Sequence, residues 1–400
     1  MMKRPAPPDS FNHSTSFNKV DAMQNGQILE VTAGEGYLVE LSPGLISDAP
    51  GLAGRLSALL GLTDPSVRAV IVTDSNVGPL YAGKVEAALE ATRPGASAGV
   101  ITIPAGEESK TPLELVRVLE AMASLRLTRK DAVIALGGGV VGDLAGLAAA
   151  LYMRGIRCLQ MPTSLLAMVD SSVGGKTAVD LEAGKNLMGV FSQPVGVLID
   201  PEVLRTLPAR EISCGWGEII KYAGLDGDVL AAVRTELGPC RSGIAPLPSV
   251  GLIARSIDVK RRIVSEDEKE SGARRLLNLG HTAGHAVETA SRYALSHGAS
   301  VAIGMHILTK ALVKEGKLPR AMLEDLEELL RQAGLPSSIP PELLARADLD
   351  FSIDALLAVA SHDKKSAGSG VNLVLPIAPG RAEVRKVSWE DFRAMLETGL

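Results

Sequence analysis

The chain has 400 residues with a formal net charge of −5, and 46% of them are apolar against 22% charged. That is enough for a large core and, at about 100–200 residues per domain, for two or three domains. A negative balance with only 3% aromatic side chains excludes a basic whole-chain surface for nucleic acid or anionic membrane, and excludes base stacking as a main mode of binding.

Residues 1–27 are polar and rich in Pro, Ser and Asn, so they read as a flexible tail. Lys3 and Arg4 are not followed by the apolar run of a signal peptide. Stretches such as 145–153 are too short to span a bilayer. Cys158, Cys214 and Cys240 are odd in number and form no CxxC pair, which excludes a disulfide framework and fits a reducing compartment. The expectation is a cytoplasmic enzyme with a small-molecule partner and neither nucleic acid nor membrane.

Ile28–Val31 and Tyr37–Leu41 flank a glycine turn and predict a hairpin. Short Val/Ile-rich runs follow at 69–73, 99–103, 131–136, 157–161 and 196–199, separated in part by helical stretches at 112–125 and 142–152. Strands alternating with helices imply a mainly parallel, Rossmann-like sheet. After about Leu207 helical spacing takes over, at 250–264, 280–293, 300–315 and 321–333, with one late strand at 371–375. The expected fold is therefore an α/β domain over residues 28–207 and a mainly α-helical domain over 208–400.

Three groups of residues carry chemistry. Gly137, Gly139 and Gly142 fit the spacing GxGxxG in a strand–turn–helix context and precede Asp143, as a turn cradling a pyrophosphate requires. No acid ends the next strand, at Met161-Pro162-Thr163, but Asp74 ends an earlier one and suits a ribose in a different strand order. His281 and His285 share a helix face at i and i+4, and His297 and Glu218 are further donors. Two His and one carboxylate would leave the open position of a catalytic zinc. Cations stand beside glycines and Asn at Lys176, Lys185-Asn186, Lys221, Lys260-Arg261-Arg262, Arg274-Arg275, Asn278 and Lys364-Lys365. A phosphorylated, carboxylated substrate would need several of them at once.

The run from Met161 through Lys176-Thr177 and the stretch Gly184–Pro194 closely resemble the 3-dehydroquinate synthase family of sugar-phosphate cyclases. So do Gly217-Glu-Ile-Ile-Lys221, Leu277–His285, His297-Gly298 and Asp363-Lys-Lys365, and the resemblance runs from about Val70 to Pro376. It implies NAD and a divalent metal, zinc or cobalt, as cofactors. The metal would be held by Glu218, His281 and His297, with His285 lying against the substrate phosphate instead. NAD would meet Gly138, Gly139, Asp143, Asp74, Glu107, Lys110, Thr163, Ser164 and Lys185. Lys176, Lys260 and Arg274 would take the substrate carboxylate. Asn186, Lys221, Asn278, His285 and Lys364 or Lys365 would surround the phosphate, and Asp170 would touch a substrate hydroxyl. Arg154 matches an arginine that crosses from a partner subunit, which implies a homodimer.

Where the family usually has Phe this chain has Ala283; where it has Glu-Ala, Ala299-Ser300; where it has Ala-Glu-Val, Gly217-Glu218-Ile219. None of these removes a proposed ligand. The implied reaction turns 3-deoxy-arabino-heptulosonate 7-phosphate into 3-dehydroquinate, in the shikimate pathway of aromatic amino acid biosynthesis. The competing readings are a sister cyclase of the amino-dehydroquinate or valiolone type, a metal-dependent polyol dehydrogenase, and a non-catalytic scaffold.

Overall fold

The computed structural model describes residues 26–238, 240, 243–363 and 370–400. Lys364, Lys365 and nearly all of the expected tail lie outside these residues. The strands are β1 (Gln27–Val31), β2 (Tyr37–Leu41), β3 (Ala69–Asp74), β4 (Ser97–Ile103), β5 (Ala132–Gly137), β6 (Arg157–Pro162), β7 (Lys176–Leu181), β8 (Gly184–Phe191), β9 (Gly196–Ile199), β10 (Gly370–Ala378) and β11 (Arg381–Ser388).

Seven of them form one sheet in the order β1-β2-β9-β6-β5-β3-β4. Only the edge pair β1–β2 is antiparallel, and it is the predicted hairpin. The sheet is buried on both faces because its central strands β3 and β5 are apolar along most of their length. Ala69 and Ile71 face one core while Val70 and Val72 face the other, and Ile134 and Val133 divide in the same way. The smaller core lies under the helices Pro112–Ser124 and Gly139–Leu151. The larger one continues without a break into the helical half of the chain, out to Leu396.

The strand order sets the position of the site. From β3 the chain crosses to β4 on one side, then returns to β5 on the other. The crevice at the carboxyl ends of β3 and β5 is thus a topological switch point, where open parallel sheets bind ligands. Thr73 pairs with Leu136 there, so Asp74 ends one strand beside the glycine turn that ends the next.

Residues beyond Leu207 are mainly helical: Ala209–Ala223, Gly227–Leu237, Val250–Glu266, His281–Ala290, His297–Lys314, Arg320–Gln332 and Trp389–Gly399. Two hairpins, β7–β8 and β10–β11, stand apart from the main sheet. The sequence pattern did not reveal β7, β8 or β11. β8 is exposed at six of its eight positions and β11 at five of eight, so neither carries the alternation that a half-buried strand shows. Among the described residues no helix is long and apolar enough to cross a membrane.

Candidate active site

The glycine turn keeps its backbone donors open. Gly138 caps the helix Gly139–Leu151 with no side-chain acceptor of its own, which leaves first-turn N–H groups for an anion. Two of the glycines serve packing. A Cβ on Gly137 would lie 2.6 Å from Val141, and one on Gly142 would lie 2.9 Å from Gln160 Oε1 on β6. Thr163 N donates to Gly137 O (2.9 Å), and the Ser164 hydroxyl faces Gly138. Asp74 Oδ1 accepts from Asn76 N and Val77 N at 2.8 and 2.9 Å, which fixes its rotamer at the strand end.

Beside this turn, the residues expected on the cofactor side bond to one another. Lys110 Nζ pairs with Asp143 Oδ2 at 2.7 Å and donates to Asn186 Oδ1. Lys185 Nζ lies 3.2 Å from Glu107 Oε1 and 2.9 Å from Glu288 Oε1. Asn186, expected near phosphate, accepts from Lys110 through Oδ1. It takes a left-handed φ of 56°, a conformation Asn tolerates, and its N–H donates to Asp180 Oδ1 at 2.7 Å.

The candidate metal ligands converge from three helices. Glu218 Oε1 is 3.1 Å from His297 Nε2 and 3.5 Å from His281 Nε2. Ring nitrogens of His281, His285 and His297 all lie within 4.8 Å of one another. His281 Nδ1 is 3.1 Å from Leu279 O. A carbonyl can only accept, so Nδ1 carries the proton and Nε2 turns its lone pair toward Glu218. Burial pushes the His281 imidazole down to about 3, against the opposing charge of Glu218. Burial also opposes charge on His297, but hydrogen bonds to Glu218 and Glu288 outweigh it and lift that ring to about 10. Burial would raise Glu218, yet the neighbouring Lys221 charge holds it at about 2. Two buried imidazoles and a carboxylate fit a divalent cation by type and number, the cation taking the place of the proton between His297 Nε2 and Glu218.

Next to this cluster sits a buried cationic one. Lys221 pairs with Glu218 Oε2 and lies 3.4 Å from Asp170 Oδ1. Lys260 Nζ lies 2.9 Å from the same oxygen and donates to Asp170 O at 2.6 Å. Tyr222 Oη donates to Asp170 as well. Burial disfavours the Asp170 charge, but Lys221 and Lys260 hold it well below the usual carboxylate range. Burial draws Lys260 down to about 8, though Asp170 resists this. Arg274 is fully buried, and Nη2 donates to Gly174 O at 2.9 Å while Nη1 donates to Glu268 O. Among the described residues its Nε has no hydrogen-bond partner. Lys176 and Asn278 both bond to Glu270, from opposite oxygens.

Arg154 joins none of these groups. It follows the far end of the helix Gly139–Leu151 and is exposed, with φ 70°. The 13 residues of that helix, at about 1.5 Å each, put it roughly 20 Å from the glycine turn.

Sequence reasoning missed Tyr222, Glu270 and Glu288. Glu288 had a readable signal, because it continues the helix stripe of His281 and His285 by three residues. Tyr222 follows Lys221 directly, and nothing in its spacing marks it. Cys214 lies near the metal ligands, and its Sγ accepts from Gly298 N at 3.3 Å. Burial pushes this thiol up to about 12, so it is inert.

Comparison with known proteins follows the same geography. The family model described as 3-dehydroquinate synthase N-terminal matches residues 100–214, and the one described as 3-dehydroquinate synthase C-terminal matches 215–366. A 3-dehydroquinate synthase from Xanthomonas axonopodis pv. citri (strain 306) is 42% identical over 368 residues, 90% of this chain and 95% of that protein. The structure of a 2-epi-5-epi-valiolone synthase from Streptomyces hygroscopicus subsp. jinggangensis 5008 with NAD+ and Zn2+ bound superposes with a TM-score of 0.78 at 28% identity. It covers 90% of this chain and 96% of that one. A 2-deoxy-scyllo-inosose synthase complexed with carbaglucose-6-phosphate, NAD+ and Co2+ gives 0.79 at 23% identity, over 94% of this chain and 100% of that one, a likeness of fold. With both models matched in order across the glycine turn and the histidine cluster, the chain belongs to the 3-dehydroquinate synthase family.

Proposed function

We propose that this chain is a phosphate-eliminating carbon–oxygen lyase that converts 3-deoxy-arabino-heptulosonate 7-phosphate to 3-dehydroquinate and phosphate. Family membership supports the reaction. The observation that carries it is the junction of a histidine–glutamate cluster with the buried cations Lys221, Lys260 and Arg274. A polyol substrate has no use for so many positive charges, whereas a phosphorylated sugar acid does.

Residues 28–207 would carry NAD, at the turn Gly138-Gly139 with Asp74, Asp143, Glu107, Lys110, Thr163, Ser164 and Lys185. Residues 208–400 would carry a divalent cation, zinc by its donor set, on Glu218, His281 and His297. When bound, NAD supplies reversible hydride transfer and the cation a Lewis acid for a substrate hydroxyl. The protein's own groups do the rest. His281 keeps Nδ1 protonated against Leu279 O, and Glu288 stands opposite His297 Nδ1, so that a cation replacing the His297 Nε2 proton would meet both Nε2 atoms. Asp170 holds Lys260 and Lys221 at one spot, and a substrate hydroxyl at Asp170 would take the place of one of those contacts. Lys176, Lys260 and Arg274 would bind the carboxylate. Lys221, Asn278 and His285, with Asn186 and a lysine at 364 or 365, would bind the phosphate. Both anionic ends are thereby fixed while the ring opens and recloses.

A homodimer is part of this reading. Leu187, Met188, Val190 and Phe191 on the hairpin are each more than a third exposed, as are Leu151 and Met153 beside Arg154. An exposed apolar surface of this kind suits a second copy, which would bring Arg154 to a neighbouring site. The deciding experiment supplies the heptulosonate phosphate with substoichiometric NAD and zinc. Many turnovers with phosphate release and no accumulating NADH are expected. NADH formed mole for mole with product would assign a polyol dehydrogenase instead.

A further inference from the structure

Glu288 is buried on the helix His281–Ala290, and its two carboxylate oxygens are divided between two donors. Oε2 lies 3.2 Å from His297 Nδ1, and Oε1 lies 2.9 Å from Lys185 Nζ. Lys185 comes from the far strand of the β7–β8 hairpin, pairs also with Glu107, and lies 4.3 Å from the centroid of the Tyr293 ring. His297 in turn faces Glu218 through Nε2. One continuous line therefore runs from the proposed cofactor side to the proposed metal, through a side chain in neither set.

We propose that Glu288 is a positioning residue for the metal ligand His297, and that Lys185 dictates which Glu288 oxygen is left for it. This rests on the reading of His297 as a ligand. An imidazole can ligate through Nε2 only when the proton sits on Nδ1 and the ring is turned correctly, and a carboxylate opposite Nδ1 secures both. Lys185 makes the arrangement sensitive to chemistry as well as shape. A carboxylate can accept from two donors at once, whereas an amide of the same shape has one acceptor and one donor end. With glutamine at 288, the ammonium of Lys185 would claim the amide oxygen. The amide N–H2 would then face His297 Nδ1 and favour the wrong tautomer.

The test uses the full-length chain, stripped of metal and titrated with Co2+ against a competing chelator, without NAD. Affinity and the visible Co2+ spectrum are the readouts, so activity is not needed. Glu288→Gln should bind Co2+ about 10–100-fold more weakly, as expected for a group behind a metal-bound histidine, with an altered spectrum. The double variant Lys185→Met/Glu288→Gln should bind more tightly than Glu288→Gln alone, because the amide oxygen is free to turn to His297. A residue that merely neutralised Lys185 would not give that sign. Circular dichroism and thermal unfolding of each variant keep misfolding separate from lost affinity. Wild-type affinity in Glu288→Gln would overturn the proposal, and no recovery in the double variant would overturn the part played by Lys185. His281→Ala serves as the reference. If it too binds Co2+ like the wild type, the ligand reading itself has failed.

Discussion

Glu218 Oε1 stands 3.1 Å from His297 Nε2, although 79 residues separate them in the chain. Their neighbours Gly217 and Gly298 bring them together. A Cβ on Gly217 would lie 2.5 Å from Gly298 O, and one on Gly298 would lie 1.9 Å from Cys214 O. The helices Ala209–Ala223 and His297–Lys314 thus cross backbone to backbone, and each presents a candidate ligand next to the crossing. Gly298→Ala must force them apart, at a cost of about 1–3 kcal/mol or more. It should lower the unfolding temperature and weaken metal binding together. Gly54→Ala, on an exposed helix face with nothing within 4 Å of the new methyl, should stabilise by about 0.5–1 kcal/mol. Thermal unfolding and metal content of the two variants decide the matter.

Removal of the metal is the most direct check on the site. About one divalent ion per chain is expected by elemental analysis, and exhaustive chelation should abolish turnover until zinc or cobalt is restored. His281→Ala should lose the ion while remaining folded, since its ring makes one hydrogen bond to the backbone at Leu279. Undiminished activity in a chain shown to be free of metal would end this assignment.

Much of this could be read from the sequence, and the exceptions share a physical cause. The central strands and the long helices were legible because two buried faces or one buried stripe leave a repeating apolar pattern. The β7–β8 hairpin, on which Lys176, Lys185 and Asn186 lie, was not, because most of β8 is exposed. The convergence of Glu218 with His281 and His297 depends on a glycine crossing that no local pattern encodes. Spacing alone left His281–His285 and the wider donor set as alternatives, and the resemblance to a family narrowed them. Glu270 escaped notice because a single acid in a polar loop looks like any solvated charge. In the fold it takes up both Lys176 and Asn278.

Lys176 is the better probe of substrate choice. Arg274 is buried and bonded to the backbone at Gly174 and Glu268, so its removal would injure the fold as well as the pocket. Lys176 is half exposed and, among the described residues, pairs with the charge of Glu270 alone. Lys176→Ala should leave the unfolding temperature unchanged but weaken the heptulosonate phosphate by about tenfold to a hundredfold, the worth of one charge-assisted bond. Sedoheptulose 7-phosphate lacks the carboxylate and should be a poor substrate for the wild type. Turnover of it at an equal or greater rate would move the chain to the valiolone-forming branch.

Assembly can be tested through Arg154, which cannot reach the glycine turn of its own chain. Arg154→Ala and Lys176→Ala should each be strongly impaired alone when assayed at low substrate. Mixed and allowed to exchange subunits, they should regain part of the wild-type rate, because one site in the mixed dimer has neither lesion. Leu187→Asp should weaken the dimer in sedimentation by placing a charge in the apolar patch. An active species that sediments as a monomer at assay concentration would refute the shared site.

The last prediction concerns pH and Lys260. Burial lowers this ammonium to about 8, with Lys221 acting in the same direction and Asp170 opposing. Its folded value lies below the ordinary 10.5, so the fold favours the neutral amine. Its contribution to stability is therefore present above about 10.5 and lost as pH falls through about 8. Binding runs the other way, because an anionic substrate needs the charged form. As pH rises through about 8 the free enzyme loses that charge, and kcat/KM should fall along a single limb near this value. Bound substrate adds its own negative charge beside Lys260 and raises its pKa, so the limb in kcat should lie at higher pH. Arginine at this position stays charged throughout the range, so Lys260→Arg should move the kcat/KM limb upward even if its overall rate is lower. Direct titration of substrate binding to the wild type, between about pH 7 and 9.5, gives the same reading without relying on the variant. Affinity that stays constant across this window would show that Lys260 does not hold the substrate's charge.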